Sequence, residues 1–337
     1  MKKIREITSE TTWEKFLIAQ PETPFFQSWA WGEVQSRLGL PILRLGIYED
    51  DSLISIAQII KVSAKRGTFF HVRHGPVLAK WNWNTFDQLL HHLVKIGKQS
   101  GVHFIRFAPL LDKSKENRDE FAHRGFYSAP IHNMDAENAW IVPLGKSEEE
   151  LLAQMRKTTR YLVRKGEKMG IEIEKTVKPD RLNVFLKLYR ETARRQGFVP
   201  HRGIPEEYEL LGKKDHITLF LAHYKGKVIS GALIIFYGKE AVYHHSGMEE
   251  ASRDIPASYL IQWEAIKEAK RRGKQVYNLW GISPADKPNH PWRGLAVFKM
   301  GFGGMEQTHI HAQDFPLSSR YWLTYGIETI RRIKRGY

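Results

Sequence analysis

The chain has 337 residues, of which 42% are hydrophobic, with 52 Lys and Arg against 37 Asp and Glu and no Cys. This length predicts about two domains with full hydrophobic cores, and the absence of Cys excludes disulfides, Cys-ligated zinc, iron–sulfur clusters and a thiol nucleophile. A net charge of +15 attracts polyanions such as RNA, DNA, anionic lipid or phosphorylated metabolites.

The first half of the chain contains a predicted β-hairpin at residues 43–61, where two apolar strands flank a polar turn. An amphipathic helix with a Gly cap and a buried strand are predicted over 89–109, and Phe-x-x-x-Gly-Phe marks a turn at 121–127. The second half repeats these patterns in the same order and at nearly constant offset, at 217–238, 260–282 and 298–304. Three ordered matches predict a tandem duplication.

Each half is therefore predicted to be an α/β unit in which a mixed sheet is covered by helices. This arrangement resembles the acyl-CoA N-acyltransferase (GNAT) fold, present twice. The predicted first domain comprises residues 1–144 and 310–337, and the second comprises 145–309, because the acidic segment KSEEE starts a new helix after the first unit. A final helix, predicted over roughly 319–334, has apolar residues at a helical period and could pack on the first domain.

Three motifs in the chain point to a known family. The second half opens with MRKTTRYLVRKGEKMGIEIE at 155–174 and closes with LAVFKMGFGG at 295–304, and the first half contains FFQSWAWGEV at 25–34. Through them the chain resembles the FemABX family, the tRNA-dependent peptidyltransferases that build peptidoglycan cross-bridges. The resemblance covers nearly the whole chain. The long helical arm of the larger members has no counterpart in the sequence, so the chain resembles the compact FemX-like type.

The resemblance implies an aminoacyl-tRNA donor and an acceptor amine on a muramyl-pentapeptide that carries either UDP or a lipid pyrophosphate. It implies no cofactor. No apolar run approaches the roughly 18 residues of a membrane span, and the amino terminus lacks the apolar stretch of a signal peptide. We therefore expect a cytoplasmic monomer that can contact the inner face of the membrane peripherally.

The implied reaction is the attack of an amine on the ester that joins an amino acid to the terminal ribose of tRNA. Negative charge develops on the carbonyl oxygen and then on the leaving ribose oxygen, so a fixed cation nearby stabilises the transition state. The matching family lysine is Lys299, in the segment VFKMGF. We predict that it supplies this charge. Because the ester is already activated, neither a metal nor a covalent intermediate is required.

Acceptor binding is predicted at positions that match family ligand contacts. Arg202 matches a family arginine that binds the precursor's phosphates, a role suited to its planar, bidentate guanidinium. Tyr208 and Tyr259 match family aromatic positions and border the same predicted groove, although packing in the core explains either tyrosine equally well.

The sequence departs from the family pattern at two positions. The phosphate-binding lysine expected after the Trp of the first helix is replaced by Gln35, and Arg37 could substitute for it from a different direction. Ala108 replaces a family aspartate that is a candidate acid, base or amine-positioning group. Both substitutions leave the position of the acceptor open.

A basic helix is predicted at the start of the second half. Its cations recur at spacings that make a broad positive face, which we predict contacts tRNA phosphates; they are Arg156, Lys157, Arg160, Arg164, Lys165 and Lys168.

His244 and His245 lie on a predicted strand, where adjacent side chains point to opposite faces. We therefore expect no shared metal ion, although one of the two could shuttle a proton.

Two other classes of function compete with the acyl-transfer hypothesis. A CoA-dependent N-acyltransferase would need a phosphate-binding loop at a helix amino terminus, and the nearest segment, RRQGFV at 194–199, is predicted at a helix end. A non-enzymatic binder of RNA or a membrane surface would use the basic helix and the basic carboxyl terminus, but no nucleic-acid-binding motif is visible.

Overall fold

The computed structural model describes residues 2–132, 135 and 137–335. The chain forms two compact units. The first contains the chain up to residue 138 together with 284–291 and the segment from 308 onward, and the second contains 139–283 and 292–307. The domain boundaries proposed from the sequence stay a prediction, because compact packing alone does not delimit an independently folding domain.

Helices and strands are mixed along the whole chain. The first part contains β1 (Lys2–Glu6), α1 (Glu10–Ile18), α2 (Trp29–Arg37), β2 (Ile42–Glu49), β3 (Ser52–Ala64), β4 (Gly67–Arg73), β5 (Val77–Leu78), α3 (Trp83–Gln99), β6 (Phe104–Ala108), α4 (Lys115–His123) and β7 (Tyr127–Ser128). The central part contains β8 (Asn138–Pro143), α5 (Glu148–Gln154), α6 (Lys157–Lys168), β9 (Glu172–Thr176), α7 (Pro179–Gln196), α8 (Ile204–Gly212), β10 (Ile217–Tyr224), β11 (Lys227–Tyr237), β12 (Glu240–Met248), α9 (Ala257–Arg271), β13 (Val276–Gly281), α10 (Arg293–Met300) and β14 (Met305–Thr308). The chain closes with β15 (Gln313–Pro316) and α11 (Tyr321–Lys334).

The sheet of the first unit has the strand order β1-β2-β3-β4-β6-β15-β7, with β5 paired to β3. Among these strand pairs β4–β6 is parallel, and the others are antiparallel. Helix α3 covers the sheet because Phe86, Leu89 and Leu93 recur at a helical period and bury one face. The side chain of Asn82 caps the helix by accepting a hydrogen bond from the backbone N–H of Thr85 at 3.0 Å.

A buried ion cluster ties α11 to the sheet of the first unit. The guanidinium of Arg106, on β6, donates two hydrogen bonds to Asp314 at 2.7 and 2.8 Å and one to Glu328 of α11 at 2.8 Å. The hydroxyl of Tyr321 donates to Asp314 at 3.3 Å. Removing one member of such a cluster leaves a buried charge unpaired, which typically costs about 3–5 kcal/mol. The carboxyl-terminal helix is therefore an integral part of this unit.

The sheet of the second unit has the order β14-β8-β13-β12-β11-β10-β9. Strands β12 and β13 run parallel and the β8–β13, β9–β10, β10–β11 and β11–β12 pairs run antiparallel, while α7 and α9 pack on the sheet. The core joins apolar residues of these strands to α9 and α6. Along the described ranges, no helix is both long and apolar enough to cross a bilayer.

Both copies of the predicted repeat adopt the same elements. The hairpins are β2–β3 and β10–β11, and the helix–strand pairs are α3–β6 and α9–β13. Each copy then has a short helix, α4 or α10, followed by glycines with positive φ at Gly125, Gly303 and Gly304. A Cβ on Gly304 would lie 2.0 Å from the carbonyl oxygen of Ile141, so the turn requires glycine. The predicted fold of two tandem α/β units with mixed sheets is confirmed.

Candidate functional site

The parallel strands β12 and β13 of the second unit separate towards their carboxyl ends. Their ladder joins residues 240–242 to 276–278, whereas β12 continues to Met248 and β13 to Gly281. In open α/β sheets, ligands bind beyond the carboxyl ends of parallel strands where neighbouring elements diverge. The opening between the two strands is therefore the candidate site of this unit.

Lys299 lies at this opening, in the last turn of α10, and is only 4% exposed. Its Nζ donates a hydrogen bond to the carbonyl oxygen of Gly281 at 2.6 Å and lies 5.9 Å from the ring centroid of Tyr243. Burial lowers the pKa of Lys299 to about 7, so charged and neutral forms coexist near neutral pH. An oxyanion that formed close to Nζ would favour the charged form.

Helix α10 is held by contacts that also involve two residues singled out from the sequence. The ring of Tyr259 packs edge-on against Phe298, with 4.9 Å between the centroids. Arg156 donates from Nη2 to the carbonyl oxygen of Val297 at 2.6 Å and from its backbone N–H to that of Gly301 at 2.9 Å. Tyr259 and Arg156 therefore belong to the immediate surroundings of the helix that carries Lys299.

The predicted basic helix is α6, which buries Thr159, Val163 and Gly166 on one side. Of the six predicted tRNA-binding residues, four are exposed, namely Arg156, Lys157, Arg164 and Lys168. Arg160 and Lys165 are half-buried, and Nη1 of Arg160 donates to the carbonyl oxygen of Ala153 at 2.8 Å. The helix thus presents a cationic face to solvent, and its role in tRNA binding stays a prediction.

The other predicted acceptor contacts lie elsewhere. Arg202 is exposed in the connection between α7 and α8. Tyr208 is buried in α8 and its hydroxyl donates to backbone carbonyls of β9 and of Lys178 at 3.2 and 3.3 Å, so it is engaged within the fold. Gln35 and Arg37 are in α2 of the first unit, the former buried and the latter exposed. Their ligand-binding roles stay predictions.

The prediction that His244 and His245 point to opposite faces is wrong. The pairing of β11 with β12 shifts by one residue between Leu233 and Ile234, which face His245 and Tyr243 respectively. This β-bulge makes His244 the extra residue and turns both imidazoles to the same side. Because a bulge depends on the partner strand, alternation along the sequence alone could not reveal it.

Both histidines meet Glu207, a fully buried carboxylate of α8. Its Oε2 lies 3.0 Å from Nε2 of His244 and 3.4 Å from Nε2 of His245. Its Oε1 lies 2.7 Å from Nε2 of His201, the residue before Arg202. We call His201, Glu207, His244 and His245 the histidine cluster. The sequence reasoning missed Glu207 and His201, although their spacing of six residues around the start of α8 was the available signal.

The electrostatics of the histidine cluster favour an ionised carboxylate beside a neutral imidazole. Burial alone would raise the pKa of Glu207, but the charge of His244 and hydrogen bonds from His201, His244 and His245 hold it well below its usual value. Burial and the neighbouring His244 lower the pKa of His245 to about 4. The cluster therefore offers acceptor lone pairs on both oxygen and nitrogen at neutral pH.

In the first unit, the parallel strands β4 and β6 end at Arg73 and Ala108, which face each other. Arg73 donates from Nε to the buried carboxylate of Asp135 at 3.1 Å, and this pair holds the pKa of Asp135 at about 2 against the effect of burial. A carboxylate thus approaches the strand ends where Ala108 replaces the family aspartate. A cavity of about 260 Å³ next to it is lined by residues that include His74, Trp81 and Leu110.

Comparison with known proteins gives curated relatives that match most of this chain. The lipid II:glycine glycyltransferase of Staphylococcus haemolyticus (strain JCSC1435) is 21% identical over 381 aligned positions, which cover 90% of this chain and 91% of the relative. The lipid II:glycine glycyltransferase of Staphylococcus aureus (strain MRSA252) is 20% identical over 383 positions, with the same coverage.

Solved structures share the fold. The crystal structure of FemX superposes with a TM-score of 0.83 and 18% identity, covering 95% of this chain and 98% of FemX. A tandem GNAT protein from the clavulanic acid biosynthesis pathway superposes with a TM-score of 0.58 and 8% identity, covering 94% and 99%. The profile of the FemAB family matches residues 8–203 and 207–326, which include Lys299 and the histidine cluster. The chain belongs to the FemAB family.

Proposed function

We propose that this chain transfers an amino acid from aminoacyl-tRNA to an amine of a lipid-linked muramyl-pentapeptide in the cytoplasm. Its membership of the FemAB family makes it an aminoacyltransferase. The names of its curated relatives support a lipid-linked acceptor in peptidoglycan synthesis over a UDP-linked one. The observation that carries the proposal is the buried Lys299 at the diverging ends of β12 and β13.

In this mechanism the acceptor amine attacks the ester carbonyl, a C–N bond forms, and the C–O bond to the tRNA ribose breaks. Lys299 in its charged form stabilises the carbonyl oxygen and then the ribose oxygen as each becomes negative. The proton lost by the amine ends on the ribose hydroxyl. Charged Lys299 can give its proton to the ribose oxygen and then, as a neutral amine, take up the proton lost by the acceptor amine; a pKa of about 7 suits both steps at neutral pH.

The donor tRNA would lie along α6. Exposed cations on this helix supply a phosphate-binding face next to α10, because Arg156 at its start contacts the backbone of the helix that carries Lys299. A tRNA bound to this face would have its acceptor end close to Lys299. Arg202 would bind the phosphates of the acceptor. The predicted role of Arg37, where Gln35 replaces the family lysine, is a separate proposal for the first unit.

Peripheral membrane contact would use α11, which suits a lipid-linked acceptor. Its buried side carries Tyr321, Thr324 and Glu328, while the apolar residues on its outer side are 48–67% exposed: Trp322, Leu323, Ile330 and Ile333. The cations Arg331, Lys334 and Arg335 flank that outer side. An apolar face bordered by cations is the pattern of a helix that lies in the headgroup region of an anionic bilayer.

The test is transfer itself. Incubating the full chain with a mixture of labelled aminoacyl-tRNAs and either lipid-linked or UDP-linked muramyl-pentapeptide, followed by mass spectrometry, should give a product larger by the mass of one or more aminoacyl residues. The lipid-linked acceptor should be preferred. Product formation from free amino acids without tRNA, or none with either acceptor, would contradict the proposal.

A further inference from the structure

We propose that His201, Glu207 and His245 form a binding site for one divalent transition-metal ion of the zinc class. In the described part of the chain they are the one group of His and acidic residues that converges in this way, with one ligand atom from each within 4.8 Å of the others. Nε2 of His244 lies 3.0 Å from the same carboxylate.

The ligand atoms are close enough to be drawn onto one tetrahedral ion by small side-chain movements. Zinc–nitrogen and zinc–oxygen bonds of about 2.0–2.2 Å place neighbouring ligand atoms about 3.3 Å apart. The imidazole nitrogens of His201, His244 and His245 lie 2.7, 3.0 and 3.4 Å from the oxygens of Glu207. The separation at His245 is that of two zinc ligands, whereas the hydrogen-bonded contacts of His201 and His244 would lengthen by about 0.3–0.6 Å around the ion.

The chemistry of the cluster also favours a cation. Three imidazoles surround the single carboxylate of Glu207. The rings of His244 and His245 have centroids 4.0 Å apart, and those of His201 and His245 are 5.4 Å apart. Imidazole nitrogen with carboxylate oxygen is a ligand set that binds zinc.

An ion can enter from one side. The side chain of His201 is 42% exposed, whereas that of Glu207 is fully buried. The ion would thus have protein ligands on its inner side and an outward position for water or an anionic ligand. The backbone N–H of His201 donates to the hydroxyl of Tyr189 at 3.3 Å, which helps to hold the connection between α7 and α8.

A bound ion would join His201, in the connection between α7 and α8, to His245 of β12. This link would fix the backbone next to Arg202. This consequence rests on the proposed function, in which Arg202 binds the acceptor's phosphates. Binding of the ion does not rest on it, because the ligands are defined by geometry alone. The experiment therefore measures the ion directly rather than through transfer activity.

The experiment uses the full chain, free of any affinity tag and stripped with a chelator. Titration with ZnCl₂ by calorimetry should give one site per chain, and CoCl₂ should produce the visible absorption of a tetrahedral Co²⁺ centre. MgCl₂ should not compete, because magnesium prefers oxygen ligands in octahedral geometry. The zinc-loaded protein should unfold at a higher temperature, since the ion binds the native state.

Variants assign the ligands. His201→Ala and His245→Ala should each weaken zinc binding by at least about tenfold, whereas His91→Ala, which removes an exposed histidine of α3, should leave it unchanged. His201 is itself partly exposed, so its variant should fold even if substitution of Glu207 does not. Zinc binding that is absent, or equal in wild type and both variants, would overturn the site. A wild-type protein that binds zinc but transfers no aminoacyl group would count against the proposed function instead.

Discussion

At the scale of single residues, the most consequential feature is that Lys299 is buried against Gly281 rather than exposed. The family motif identified the lysine, because residue identities in the segment VFKMGF are visible in the sequence. Its burial depends on how α10 packs on β13, which no local pattern records. The sequence therefore predicted the chemical group but not its pKa of about 7.

Burial of Lys299 predicts how stability changes with pH. Its pKa is about 7 in the folded chain and 10.5 in an unfolded one, so between these values the unfolded state binds more protons. At pH 7, burial of Lys299 therefore lowers the free energy of unfolding, and this loss disappears as pH rises towards 10.5. The full effect is at most about 4–5 kcal/mol, at 1.36 kcal/mol for each unit of pKa.

Urea denaturation of Lys299→Met and wild type at several pH values between 7 and 10 measures this effect. The wild type should gain stability relative to the variant as pH rises, whatever constant offset removal of the hydrogen bond to Gly281 adds. Lys98→Met, which changes an exposed lysine of α3, should show no such trend. A difference between wild type and Lys299→Met that does not vary with pH would refute the lowered pKa.

At the scale of elements, the periodic segments were predictable and the irregular ones were not. The hairpins β2–β3 and β10–β11 and the helices α3 and α9 follow apolar periods that are visible along the chain. The bulge that brings His244 and His245 together depends on pairing with β11, and the approach of Glu207 depends on the packing of α8. Both depend on tertiary structure, so the histidine cluster could not be predicted from the sequence.

Charge on α6 gives a prediction about RNA. Reversing Arg164 and Lys168 to Glu should weaken binding of aminoacyl-tRNA, because both side chains are exposed. The slope of log affinity against log salt should become shallower by about 1 for each phosphate that the variant no longer binds. Reversing Lys95 and Lys98 of α3, also exposed, changes the net charge equally. Equal weakening in the two double variants would mean that overall charge, not α6, attracts tRNA.

The exposed apolar side of α11 gives a prediction about membranes. Ile330→Ser combined with Ile333→Ser should reduce binding to vesicles containing phosphatidylglycerol by at least about tenfold, since two aliphatic side chains would no longer be buried in the bilayer. Neutral phosphatidylcholine vesicles should bind the wild type weakly. Ile18→Ser, which alters an isoleucine of α1 that is 50% exposed, is the matched control. Unchanged binding of the double variant in a sedimentation assay would remove α11 as the membrane-binding element.

At the scale of the whole molecule, the internal repeat made the fold predictable, because each half independently shows the same order of hairpin, helix and strand. The repeat did not predict the grouping of residues 284–291 with the first unit, since an irregular segment has no period to interpret. Nor did it predict chemistry, because a GNAT-like fold serves many reactions and the assignment rests on the residues at the strand ends.

The same reasoning predicts that CoA does not bind. The segment nearest to a phosphate-binding loop, residues 194–199, spans the carboxyl end of α7, where Gly197 is the left-handed cap. Carbonyl groups and the negative end of the helix dipole face outward there, which disfavours a pyrophosphate. Millimolar acetyl-CoA should neither raise the melting temperature nor support acetylation. A rise in melting temperature as large as that of a known CoA-dependent acyltransferase would favour this class of function instead.

The central claim is that Lys299 acts on the transition state of aminoacyl transfer. Lys299→Met keeps the apolar stem and removes the charge, so the rate of single-turnover transfer from charged tRNA at saturating acceptor should fall by about 10²–10³-fold. The KM for the acceptor should barely change, whereas Arg202→Ala should raise that KM with less effect on kcat. A Lys299→Met enzyme that transfers at close to the wild-type rate would contradict the account.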